Sequence, residues 1–148
     1  MSDSLKAVKI SEHVWWVGAI DWGLREFHGY ATHRGTTYNA YLVMADTPVL
    51  IDTVKAPFMD EMYARISSVV EPSKIRTLIS NHAEMDHSGG IPRFLADIKP
   101  DKLYASVNGQ KALDLHFRIG KSVTPVKTGD SIDLGGLTLS FLETKMLH

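Results

Sequence analysis

Residues 80–90, Ser-Asn-His-Ala-Glu-Met-Asp-His-Ser-Gly-Gly, constrain this chain more than any other stretch. The segment before them, Ile75 to Asn81, carries Leu78 and Ile79 and reads as a strand. The segment after them, Ile91 to Ile98, reads as a short helix. A strand end must therefore open onto a turn crowded with imidazole and carboxylate groups. Gly89 and Gly90 allow close backbone approach where the helix begins. Side chains at alternate positions of an extended segment point the same way. On that basis His82, Glu84 and Asp86 converge on one point, and His87 points elsewhere unless the backbone turns. Imidazole with carboxylate is a transition-metal ligand set that suits non-haem iron. Four such groups between residues 82 and 87 exceed what one ion usually takes from so short a window, so a two-metal site is the sharper reading. The plain alternative is a polar surface loop ahead of a glycine pair.

Composition narrows the chemistry. The chain has no cysteine. Disulfides, thiolate zinc sites, cysteine-ligated iron–sulfur centres and thiol nucleophiles are excluded together, so any metal must use nitrogen and oxygen ligands. A formal net charge of −1 offers no basic patch for nucleic acid or an anionic membrane. No apolar run reaches the ~18 residues of a membrane span. Met1-Ser2-Asp3-Ser4 lacks the apolar region of a signal peptide, and a cytoplasmic protein is expected. The length of 148 residues suits one domain.

The remaining segments alternate strands with helices, which points to an α/β layered fold. Leu5 to Ser11 and His13 to Ile20 read as strands. Asp21 to Thr37 is expected to be a long irregular loop, either functional or a packing cover. Asn39 to Met44 and Pro48 to Thr53 read as an antiparallel hairpin around Ala45-Asp46-Thr47. Asp52 ends that hairpin, where a carboxylate can bond a neighbouring loop or a ligating histidine, or simply cap a local turn. Pro57 to Val70 is the clearest helix, with Phe58, Met62, Ile66, Val69 and Val70 on one face. Its methionines read as core. Strands at Lys102–Val107, Ser122–Val126 and Leu137–Leu142 and a helix at Asn108–Phe117 complete the pattern.

The chain resembles the flavodiiron proteins, also called A-type flavoproteins. The segments that carry the resemblance are Val17-Gly18-Ala19-Ile20-Asp21-Trp22, Phe27-His28-Gly29-Tyr30, Gly35 to Leu42, Ile51 to Pro57, Ser80 to Gly90, and Glu143 to His148. The resemblance implies an αββα sandwich of the metallo-β-lactamase type, of which this is the N-terminal portion. Most hydrolases of that superfamily carry His-x-His-x-Asp-His; here Glu84 replaces the second histidine, a hallmark of the di-iron branch. It further implies that His82, Glu84 and His148 bind one iron. Asp86 and, as a variable partner, His87 would bind the second. His28 resembles a pocket residue beside the metals, a hydrogen-bond donor or proton source. Members of the family reduce dioxygen to water, nitric oxide to nitrous oxide, or both. Their electrons come from FMN on a flavodoxin-like domain, fed by rubredoxin or a similar donor, in a head-to-tail homodimer or homotetramer. The family's bridging aspartate and last histidine lie beyond the position of His148. Residues 1–148 are thus expected to be a di-iron domain truncated before its last ligands, without the flavodoxin-like domain and inactive alone.

Two rivals stand beside the redox reading. A zinc-dependent hydrolase of the same superfamily would use a metal-bound hydroxide oriented by Asp86, and Glu84 argues against it. A non-catalytic half-domain that pairs with another chain is the other. Trp22, Phe27 and Tyr30 are the candidates for the wall of a dry pocket.

Overall fold

The structure, a computed structural model, describes residues 5–144. A seven-stranded sheet forms its centre, in the order β1-β2-β7-β8-β9-β10-β11. Half of it is antiparallel: β1 (Val8–Lys9), β2 (Val14–Trp16), β7 (Tyr41–Val43) and β8 (Val49–Ile51). From β8 onward it is parallel, through β9 (Thr77–Ile79), β10 (Lys102–Ser106) and β11 (Val123–Val126). The switch follows from the connections. A tight turn at residues 44–48 can only return the chain antiparallel, whereas parallel neighbours need a crossover helix. Those crossovers are α1 (Met59–Ser67), α3 (Ile91–Ile98) and α4 (Val107–Phe117).

Strand alternation sorts the core into two faces. Leu42, Leu50, Leu78, Leu103 and Val123 lie side by side across successive strands and face the helices. There they meet Met59, Met62, Ile66, Phe94 and Leu113, all fully buried. The neighbouring row, Ile51, Ile79 and Tyr104, faces a hairpin of β12 (Ser131–Asp133) and β13 (Thr138–Ser140) through Ile132, Leu134, Leu139 and Phe141. Helix, sheet and hairpin stack as α/β layers, as expected. The methionines at 59 and 62 are core. Truncating Phe94 to alanine should cost about 3–5 kcal/mol, read as a lower urea midpoint at unchanged m-value.

Three expectations are corrected. Pro57 lies within a 3-10 turn over Ala56–Phe58, and α1 runs only from Met59 to Ser67. The run at 13–20 is two strands, broken at Val17-Gly18, with β3 (Ala19–Asp21) leaving the main sheet. Residues 21–37 are not irregular throughout: short strand pairs alternate with turns. β3 pairs with β6 (Thr36–Tyr38), and β4 (Glu26–Phe27) pairs with β5 (Tyr30–Ala31), so the segment is a hairpin nested within a hairpin. Short strands flanked by glycines hide their period, which is why pattern alone missed them.

Candidate metal centre

The loop after β9 is fixed from below by Asp52. The end of β8 is tied to β9 by Asp52 N–H donating to Ile79 O at 2.7 Å. Asp52 then adopts a left-handed backbone, φ 59°, a conformation aspartate tolerates better than most residues. That turn aims its buried carboxylate along the loop. Oδ1 accepts the backbone N–H of Asn81 at 2.7 Å and of His82 at 3.4 Å. Oδ2 lies 3.4 Å from His87 Nδ1, short of hydrogen-bond geometry, so this buried nitrogen has no hydrogen-bond partner. The facing carboxylate nonetheless holds His87 above the ordinary imidazole range, against the opposing effect of burial. Thr53 clamps the same residue, donating from both N–H (2.8 Å) and Oγ1 (2.7 Å) to His87 O. Of the two readings open for Asp52, bonding to the loop is the one realised.

The expected alternation stops at Glu84. Glu84 is extended, and Met85–Ser88 coil into a single helical turn, α2. Ser88 Oγ secures it by donating to Ala83 O (2.7 Å) and Glu84 O (3.0 Å). At Gly90 a Cβ would strike the buried Met59 side chain, which would have to move for any larger residue to start α3. The helical turn swings His87 back toward the site. His82 Nε2 lies 3.5 Å from Glu84 Oε1, and His87 Nε2 lies 3.4 Å from Asp86 Oδ2. The two imidazoles meet edge to face, 5.3 Å between centroids. His82, Glu84 and Asp86 are thus not one converging trio, and His87 does not point away. The loop forms two adjoining imidazole–carboxylate pairs.

His28 arrives from a distant part of the sequence. Phe27 and Tyr30 pair across the β4–β5 ladder, leaving His28 and Gly29 as a two-residue turn with φ of 51° and 79°. Two successive positive φ values define the tight hairpin turn that matches strand twist. The turn delivers His28 Nε2 to 3.0 Å from Glu84 Oε2. A cleft of about 280 Å³ opens here, lined by Phe27, His28, Lys55, Glu84, Met85, Asp86 and His116. Phe27 forms part of its wall as expected. Trp22 and Tyr30 do not: they are 68% and 76% exposed. Lys55 and His116 were not among the expected site residues; the fold brings them to the cleft from the start of a 3-10 turn and the end of α4. A larger hollow, about 430 Å³, lies between the strand ends and the β12–β13 hairpin. The chemistry belongs to the smaller cleft, because the carboxylates of both pairs, Glu84 and Asp86, line it together with His28 and His116.

Nitrogen and oxygen donors of this kind fit non-haem iron, with His87 presenting Nε2 beside Asp86 while its Nδ1 faces Asp52. The described residues do not close a cage: among them no three His, Cys, Asp or Glu side chains are gathered closely enough to hold an ion. His148 lies outside the described residues.

Residues 36–148 match the profile of the ODP family beta lactamases. The chain belongs to that family. Within it, this ODP-family chain corresponds to the metallo-β-lactamase-like N-terminal part of the flavodiiron proteins. It is 44% identical to a rubredoxin-oxygen oxidoreductase of Megalodesulfovibrio gigas, over 97% of this chain and 36% of the relative. It is 42% identical to a nitric oxide reductase of Moorella thermoacetica, over 95% of this chain and 36% of the relative. The flavodiiron protein of Giardia intestinalis superposes with a TM-score of 0.90 at 30% identity, over 100% of this chain and 36% of that structure. The ODP-family chain therefore spans little more than a third of the length of these relatives. No helix among its described residues is long and apolar enough to cross a membrane.

Proposed function

We propose that this chain is the metal-binding half of a di-iron oxidoreductase that reduces dioxygen to water, nitric oxide to nitrous oxide, or both. The observation that carries the reading is the arrangement of residues 82–87 as two adjoining imidazole–carboxylate pairs. His82 with Glu84 would hold one iron and Asp86 with His87 the second. His148 is the further ligand proposed for the first. Two irons held side by side by these residues would supply the redox chemistry for a small diatomic substrate. Glu84 and Asp86 supply the negative charge that tolerates the ferric state. His28, in contact with Glu84 and open to the cleft, fixes the orientation of that carboxylate and is placed to pass a proton toward substrate.

The relatives named as oxygen and nitric oxide reductases support both substrates. Rubredoxin or a similar donor and FMN belong to the proposal, with FMN on a flavodoxin-like domain outside residues 1–148, as do a cytoplasmic location and a head-to-tail homodimer or homotetramer. Met85, exposed at the cleft, suits the surface against which such a domain would sit.

Metal analysis of the chain, isolated anaerobically with the metal it acquires in iron-replete cells, tests the reading. Iron should be found at the 82–87 loop and be lost on substitution of His82. Retention of zinc with no iron would instead favour a hydrolase.

A further inference from the structure

We propose that Asp21 and Tyr38 are positioning residues for the metal loop: they hold His28 against Glu84 through an unbroken chain of side-chain contacts. Asp21 ends β3 and is the knot of the nested hairpins. Its Oδ1 accepts the N–H groups of Gly23 and Leu24, each at 3.1 Å. Its Oδ2 accepts the hydroxyl of Tyr38 at 2.7 Å. A Cβ at Gly35 would strike the Asp21 carbonyl, so the base of the hairpin closes directly on this residue. Tyr38 is fully buried and packs edge-on against Phe58, 5.2 Å between centroids. Burial, then the Asp21 carboxylate, holds the phenol far above its ordinary value, so it stays a donor.

The chain of contacts runs on from the Tyr38 ring. Lys55 Nζ sits 4.9 Å above that ring and 5.4 Å above the ring of Phe27, joining the base of the hairpin to its tip. Phe27 meets the His28 imidazole edge to face at 4.2 Å, and His28 reaches Glu84 at 3.0 Å. A tyrosine that served only the core would need its ring and not its hydroxyl. Here the hydroxyl binds the one carboxylate that also caps the start of the excursion. Losing it should loosen the tip, and through His28 the loop, while leaving the ring packing intact.

The inference rests on the proposed function for its purpose, but neither the contacts nor the test require metal. The measurement is hydrogen exchange in the metal-free full chain. It follows the amides of His87 and Ser88, which bond Glu84 O at 2.9 and 2.8 Å, relative to those of β9. Tyr38→Phe and His28→Gln should each speed these loop amides about fivefold, and the double variant no further, because the two act along one line. Asp21→Asn, should it fold, should reproduce the effect of Tyr38→Phe. Unchanged loop amides in Tyr38→Phe, effects that multiply to about 25-fold in the double variant, or equal acceleration of the β9 amides would each overturn the inference. Failure of the wild-type chain to bind iron would sink the proposed function and leave this cycle readable.

Discussion

Replacing Asp52 with alanine is expected to lower metal affinity 10- to 100-fold and stability by about 3 kcal/mol. Its carboxylate is buried and bonds the N–H of Asn81 and, at 3.4 Å, of His82, while facing His87 Nδ1. Alanine would remove the acceptor of the loop amides, leave His87 without the charge that faces it, and place a residue that resists a left-handed backbone at φ 59°. Asp52→Asn separates these effects. Asparagine keeps an acceptor for the Asn81 amide and tolerates the same backbone, so most of the stability should return. The charge facing His87 does not return, so the affinity loss should largely persist. Urea melts and metal titrations of the two variants read the two quantities apart. Unchanged metal affinity in Asp52→Ala would show that the contact with His87 does not matter to the site.

Replacing Glu84 with histidine should shift the metal preference from iron toward zinc by at least about tenfold. The substitution exchanges a hard, charged oxygen donor for a neutral imidazole and creates His-x-His-x-Asp-His. It also removes the carboxylate that His28 and His82 both approach, at 3.0 and 3.5 Å. The wild-type pair His82–Glu84 offers one nitrogen and one charged oxygen donor, a set suited to a metal that cycles to a ferric state. Competition between ferrous and zinc ions, followed by metal analysis after dialysis, gives the ratio for each chain. An unchanged ratio would remove Glu84 as the determinant of metal choice and reopen the hydrolase reading.

Much of the frame was legible in the residues. The hairpin of β7 and β8 follows from two apolar runs around Ala45-Asp46-Thr47, and its antiparallel pairing is found. The helix after Pro57 was legible from Met62 and Ile66, although the proline turn delays its start to Met59. The excursion at 21–37 was not legible. Its strands are two or three residues long and stabilise one another only in pairs, so their order comes from Asp21, Tyr38 and the His28-Gly29 turn. The β12 strand escaped for a similar reason: its apolar residue Ile132 gains meaning only against Leu139 and the sheet beneath.

The sequence by itself determined the donor chemistry of this protein. With no cysteine, and with two imidazoles and two carboxylates between residues 82 and 87, only a nitrogen and oxygen site was available. Tertiary structure decided how those donors are shared. A local pattern assigns directions by assuming one backbone conformation, and residues 82–87 use two, extended up to Glu84 and helical from Met85. That change, held by Asp52 and Thr53 from one side and met by His28 from the other, turns four donors in a row into two pairs.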